Sequence, residues 1–172
     1  MDVIAHLVRH GEVENPDRVV YASLPGFGLS QRGRTQAQAA AERLQGRDIG
    51  MIVTSPLQRA VETAGVVAAT LELRTETDDR LVEWELGQRW AGTAWEDLDT
   101  RFPGELGAYL DHPEHLDFAP ESLSDLAIRM GAAAAETAAL LHMGRSEIVL
   151  VSHQDPIQAG RLALTGRPLA GL

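Results

Sequence analysis

Three apolar runs punctuate the chain: Val3-Ile4-Ala5-His6-Leu7-Val8, Met51-Ile52-Val53-Thr54 and Ile148-Val149-Leu150-Val151. Short continuous runs of this kind read as strands covered on both faces, the pattern of a parallel sheet. They predict strands over 3–8, 50–54 and 148–152. Between them the apolar positions change to helical spacing. Ser30 reads as an N-cap, with Ala37, Ala40, Ala41 and Leu44 on one face of the helix it opens. Ser55-Pro56-Leu57-Gln58 reads as a capping-box start, proline in the first turn, with Leu57, Val61, Ala64 and Ala68 as the buried stripe. A long helix after Pro120 carries Leu123, Leu126, Met130, Ala133, Thr137 and Leu140 on one side, and a short last helix starts near Pro156. Gly11 to Gly28 is a turn-rich loop. Residues 84–119 read as irregular and hold Trp84, Trp90 and Trp95 together with Phe102, Tyr109 and Phe118. Strand and helix alternate, which predicts an α/β fold with a largely parallel sheet.

A chain of 172 residues fits one domain spanning 1–172, large enough for a core without disulfides, and cysteine is absent. No stretch approaches the roughly 20 apolar residues of a membrane span. No signal segment precedes the first strand, so the expected location is the cytoplasm. The net charge of −10 disfavours nucleic acid and anionic membranes as partners. A small anionic substrate remains compatible if arginines cluster locally. All 15 basic residues are arginine, which excludes lysine Schiff bases and lysine-dependent phosphate loops.

The chemistry gathers where the runs end. Arg9-His10-Gly11-Glu12 follows the first, Ser55 to Arg59 the second and Ser152-His153 the third. In open α/β sheets the carboxyl ends of the strands are where ligands bind. A histidine that attacks phosphorus must be neutral, with one ring nitrogen free and the other held by an acceptor. Phosphoryl transfer is otherwise a matter of positioning and charge stabilisation, for which the guanidinium fork suits phosphate oxygens. Arg9, Arg59 and His153 are the candidates. Arg59 has a second reading, an i,i+3 pair with Glu62. The leaving alkoxide needs a proton, and Glu83 and Glu85 stand closest in the chain order; spacing alone does not choose between them.

Leu7-Val8-Arg9-His10-Gly11-Glu12, Thr54-Ser55-Pro56-Leu57-Gln58-Arg59-Ala60, Leu81-Val82-Glu83 followed by Gly87, and Val151-Ser152-His153 together resemble the histidine phosphatase superfamily, the phosphoglycerate mutase-like proteins. The resemblance covers nearly the whole chain. It implies a three-layer α/β/α sandwich with a mostly parallel central sheet. It implies His10 as the phosphorylated nucleophile, Arg9, Arg59 and His153 as phosphate ligands, Glu83 as proton donor, and no metal or other cofactor. The family's asparagine seven residues after the arginine is replaced by Pro16, and the adjacent Asn15 is the candidate for that phosphate contact. Where many members have glycines after the second histidine, this chain has Gln154-Asp155-Pro156. The family's Gly-x-Trp-x-Gly is one residue longer here, Gly87 to Gly92, and the further strand usual in relatives does not occur before Leu172.

The expected function is metal-independent phosphomonoester hydrolysis of a small phosphorylated metabolite through a phosphohistidine. A phosphoglycerate-type mutase and a catalytically silent phospho-ligand or protein-binding module are the alternatives. The segment 84–119 carries only Arg89 and Arg101, too few basic residues for a mutase pocket, and the set Arg9, His10, Arg59, Glu83 and His153 is intact. His6, His112, His115 and His142 read as structural or solvated. The tryptophans suit either a satellite core or a substrate lid. Nothing in the sequence fixes the oligomeric state or the natural substrate.

Overall fold

The computed structural model describes residues 3–141 and 144–171; His142 lies outside them. Four strands, β1 (Ile4–Arg9), β2 (Ile49–Thr54), β3 (Thr75–Thr77) and β4 (Glu147–Ser152), form one sheet in the order β1-β4-β2-β3. All its pairings are parallel. Side chains of β4 alternate between two apolar layers. Val149 and Val151 join Ile52 against α1 (Gln31–Leu44) and α2 (Gln58–Leu71). Ile148 and Leu150 join Val53 against Met130, Ala133 and Ala134 of α6 (Leu123–Ala139). A strand covered on both faces needs no polar positions, which is why β4 is apolar throughout its centre. The result is the three-layer α/β/α sandwich expected from the sequence.

The strand β3 was not foreseen. Its Thr-Glu-Thr is exposed and polar, and only main-chain pairing to β2 defines it, so the hydrophobic pattern carries no trace of it. The segment 84–119 is also more regular than expected. It folds as α3 (Leu86–Trp90), α4 (Leu98–Arg101) and α5 (Glu105–Asp111), each too short to show a full helical period. Trp84 and Trp90 are buried beside Tyr109 and Phe118, while Trp95 stays 44% exposed. They form a satellite core with one aromatic at its rim.

Three boundaries differ from the sequence expectation. The helix α2 begins at Gln58, with Leu57 in the capping position, not at Pro56. Ser55 instead extends the sheet: its N–H donates to the Val151 carbonyl at 2.9 Å, and its hydroxyl contacts His153. The buried face of α2 runs through Arg59, Ala60, Thr63, Ala64, Val67 and Ala68, leaving Val61 41% exposed. The helix α6 is capped by Ser122, whose hydroxyl accepts from Asp125 N at 3.1 Å, and it ends before Leu140, which faces solvent. The last helix, α7 (Gln154–Leu164), starts two residues earlier than Pro156. Ser30 caps α1 as expected, accepting from Gly33 N at 3.0 Å.

Two glycines fix how the loop after β1 meets α1. A Cβ on Gly11 would lie 2.3 Å from the Gly33 carbonyl oxygen, and one on Gly33 would lie 2.0 Å from the Glu12 carbonyl oxygen. Gly33→Ala, a change usually worth about 1 kcal/mol in favour of a helix, should therefore act in reverse. The clash is with backbone, and overpacking of this kind costs roughly 1–3 kcal/mol, about 2–4 °C of melting temperature per kcal/mol in a chain of this size. A thermal melt in which the variant matches or exceeds the parent contradicts this packing.

Candidate active site

The carboxyl ends of β1, β4 and β2 lie level, because Arg9 pairs with Ser152 and Thr54 with Val151. His10 N continues the ladder to the Ser152 carbonyl at 3.0 Å, so His10, His153 and Ser55 leave the sheet side by side. The turn at Asp79–Leu81 is bound to the same edge. Asp78 N donates to the Thr54 carbonyl at 3.0 Å, and the Ser152 hydroxyl donates to the Leu81 carbonyl at 2.7 Å. From α6, Arg129 donates to the carbonyls of Arg80, Val82 and Glu83 and pairs with Glu121. That clamp delivers Glu83 to the strand ends. Sequence reasoning missed Arg129, since an arginine on a helix gives no sign that it holds a distant loop.

His10 is buried. Its Nδ1 lies 2.8 Å from the Gly11 carbonyl, which can only accept, so Nδ1 carries the proton and Nε2 holds a lone pair. Burial pulls its pKa down to about 4, and the charges of Arg59 and Arg9 act in the same direction, so the ring is neutral at pH 7. Arg59 donates from Nε to His10 Nε2 at 3.2 Å and from Nη2 to the Ala22 carbonyl at 2.7 Å. It does not pair with Glu62, which binds Arg34, Gln58 and Leu29 N instead. The Tyr21 ring lies 4.7 Å from the guanidinium carbon, a cation–π contact that helps hold a cation which burial otherwise penalises. Ala22 presents its carbonyl at φ +41°, a strained conformation for a residue with a Cβ. Gly87 makes room for it: a Cβ there would meet that of Ala22 at 3.1 Å.

His153 is fully buried, its ring 5.1 Å from that of His10. Its Nε2 is 2.8 Å from Ser55 Oγ. That oxygen also accepts from Leu57 N at 3.3 Å and can donate its own proton to Nε2, the tautomer in which the ring proton sits on Nδ1. Among the described residues Nδ1 has no hydrogen-bond partner, and Glu83 Oε2 is 4.0 Å away. Burial, then the charge of Arg59, hold this histidine well below its ordinary pKa, again neutral.

Glu83 accepts from Trp84 N at 2.9 Å through Oε1. Burial first, and the neighbouring Asp155 second, raise its pKa to about 7. A carboxyl group still protonated near neutrality is what a general acid requires. Glu85 is exposed: the chain turns into α3 there, so the two glutamates do not share a face. Asp155 accepts from the Tyr109 hydroxyl at 3.0 Å. Tyr21 did not stand out in the sequence, and Asp155 did so only as part of Gln154-Asp155-Pro156 after the second histidine.

Two cavities open onto these groups. One of about 480 Å³ is lined by Arg9, His10, Asn15 and Tyr21; the other, of about 320 Å³, by Arg9, Tyr21, Glu83, Trp84, Tyr109 and Asp155 among others. Arg9 and Tyr21 stand where they adjoin. The four groups Arg9, His10, Arg59 and His153 gather at the strand ends; Arg59 and His153 contact His10 and neither lines the two cavities. Asn15 borders the first cavity with its amide engaged in the loop: Nδ2 donates to the Val19 carbonyl and Oδ1 accepts from Val19 N. His6 pairs with Glu147 at the opposite end of the sheet. Among the described residues no group of three or more acidic or histidine side chains is spaced to hold a metal ion, His112 and His115 included. No described helix is long and apolar enough to cross a membrane.

Strand-end histidines flanked by arginines on a parallel α/β/α sheet define a class of phosphoryl-transfer enzyme. The chain belongs to the histidine phosphatase superfamily (branch 1), whose profile matches residues 5–172. It is similar to an uncharacterised protein of Mycobacterium tuberculosis, at 42% identity over 95% of this chain and 79% of that one. It is similar to phosphoserine phosphatase 1 of Hydrogenobacter thermophilus, at 31% identity over 95% and 77% of the two chains. Among solved structures it resembles mycobacterial glucosyl-3-phosphoglycerate phosphatase in complex with VO3, with a TM-score of 0.82 and 34% identity over 96% of this chain and 83% of that one. The protein is a phosphatase of the histidine phosphatase type.

Proposed function

We propose that the protein hydrolyses the phosphomonoester of a small phosphorylated metabolite through a phosphohistidine at His10, without a metal ion. The observation that carries this is the state of His10: neutral, its Nδ1 proton fixed by the Gly11 carbonyl, its Nε2 lone pair directed at Arg59. In the free enzyme Arg59 Nε donates to the very nitrogen that attacks. An incoming phosphate, with more negative charge, competes for that guanidinium and releases the lone pair. Arg9, Arg59 and the Nδ1 proton of His153 then stabilise the equatorial oxygens.

Nε2 forms the bond to phosphorus as the P–O bond to the alcohol breaks, and protonated Glu83 gives its proton to the leaving oxygen. The products are the alcohol and phosphorylated His10. Water then attacks the phosphohistidine, its proton passing to the Glu83 carboxylate, and inorganic phosphate leaves with His10 and Glu83 restored. Positive charge on the transferring group comes from arginine throughout.

Hydrolysis is favoured over mutase chemistry because the basic residues of 84–119 are engaged away from the site: Arg89 pairs with Glu105 at 2.6 Å, and Arg101 donates to Thr93 at 3.3 Å. The enzyme is expected to hydrolyse an aryl phosphate equally well with and without a chelator. Activity that disappears with chelator and returns only with a divalent cation contradicts the metal-free step. Arg59→Lys tests the guanidinium separately. It keeps one charge but loses the fork, and should lower kcat/KM by about 10²-fold, since such transition-state contacts are worth roughly 3 kcal/mol.

A further inference from the structure

The cavity on the Glu83 side has an unusual balance of charge for a site that binds phosphate. Two carboxylic side chains, Glu83 and Asp155, face it together with aromatic residues Trp84, Trp95 and Tyr109, and Arg9 is its one cation among the described residues. Arg9 also borders the His10 cavity, where the transferring phosphate needs it. No other cation lines the Glu83-side cavity among the described residues; Arg161 lines the neighbouring one beyond Asp155 and donates to Gln158.

Building on the phosphohistidine reading, we propose that Asp155 makes this cavity selective for alcohols that offer a hydrogen-bond donor and carry no second anionic group. A hydroxyl or ammonium of the leaving group donates to the Asp155 carboxyl while its carbon skeleton lies on the aromatic wall. A second phosphate or a carboxylate placed there meets Asp155 across a short distance in a partly buried site, where like charges repel. The Tyr109 hydroxyl, donating to Asp155 at 3.0 Å, fixes the carboxyl against the wall and leaves its other oxygen for the substrate. Asp155 also sits close enough to Glu83 to help keep that acid protonated. Exclusion of a second anion and retention of the catalytic proton thus share one residue.

A matched pair of substrates tests this. Glycerol 3-phosphate and 3-phosphoglycerate differ only in a CH₂OH replaced by a carboxylate. The parent enzyme should prefer the former by about tenfold or more in kcat/KM, the equivalent of about 1.4 kcal/mol. Asp155→Asn should compress that ratio about tenfold, and Tyr109→Phe, which keeps the carboxylate, should preserve it. p-Nitrophenyl phosphate serves as the reference in every assay. If it is hydrolysed but the parent prefers 3-phosphoglycerate, or Asp155→Asn leaves the ratio unchanged, the selectivity inference is overturned and the phosphatase mechanism stands. If Tyr109→Phe moves the ratio as far as Asp155→Asn, the shape of the wall and not the charge is responsible, and the inference again fails. If p-nitrophenyl phosphate is not hydrolysed at all, the mechanism and the inference fall together.

Discussion

Replacing His10 by alanine is expected to remove turnover of every phosphomonoester, by a factor on the order of 10⁴ or more, because among the described residues no second free nucleophile stands at the strand ends. Ser55 is occupied by His153 and Leu57 N, and the nitrogen of His153 without a partner among the described residues, 4.0 Å from Glu83, carries a proton and not a lone pair. The fold should survive. His10 borders an open cavity, and its own hydrogen bonds go to the adjacent Gly11 carbonyl and to Arg59, which keeps its anchor on Ala22. The variant should therefore melt near the parent and still bind inorganic phosphate through its arginines. An alanine variant that retains more than about one hundredth of the parental kcat/KM rules out His10 as the nucleophile.

The second large effect concerns Glu83 and depends on the leaving group. Glu83→Gln should slow alkyl phosphates by about 10²–10⁴-fold and aryl phosphates much less, since a phenolate leaves without full protonation. The pH profile follows from the same groups. His10 acts unprotonated, so activity is lost as pH falls through about 4; Glu83 acts protonated, so alkyl phosphate hydrolysis is lost as pH rises through about 7. In Glu83→Gln the alkaline limb for alkyl substrates should vanish. The sign for stability is the opposite of a surface carboxylate's. A glutamate whose folded pKa is raised binds its proton more tightly when folded, so its contribution is retained at low pH and lost as pH climbs toward 7. Glu83→Gln should therefore melt higher than the parent at pH 8, with little difference at pH 5. Equal slowing of both substrate classes, or a larger defect in Glu85→Gln, assigns the proton to another group.

How much of this was legible in the sequence varied with the physics involved. Strands buried on both faces announce themselves as apolar runs, so β1, β2 and β4 and the residues just beyond them could be read directly. The three-residue β3 could not, because main-chain hydrogen bonds define it and they leave no side-chain signature. The start of α2 was misplaced for a related reason. Ser55 has the chemistry of a cap, but the sheet and His153 compete for it and win. In isolation Arg59 suited an ion pair with Glu62, whereas the helix turns it inward onto His10 and Tyr21. That outcome follows from a buried face that keeps the expected Ala64 and Ala68 but runs through Arg59, Ala60, Thr63 and Val67 in place of Val61. Asn15 borders the His10 cavity, and its amide also closes the loop on Val19, a second role that the sequence did not show. The partnership of Asp155, Tyr109 and Glu83 joins three distant stretches of chain, and only the packing of α5 against the start of α7 brings them together.

The most direct test of the mechanism is to catch the phosphoryl group on the enzyme. A rapid acid-free quench during turnover of a phosphate-labelled substrate, followed by peptide mapping, should place one acid-labile, alkali-stable phosphoryl group on His10. It should appear at the rate of the first turnover and be absent from His10→Ala. Label on another residue, or full turnover with no labelled enzyme at any time while product is released in a single step, contradicts the phosphohistidine.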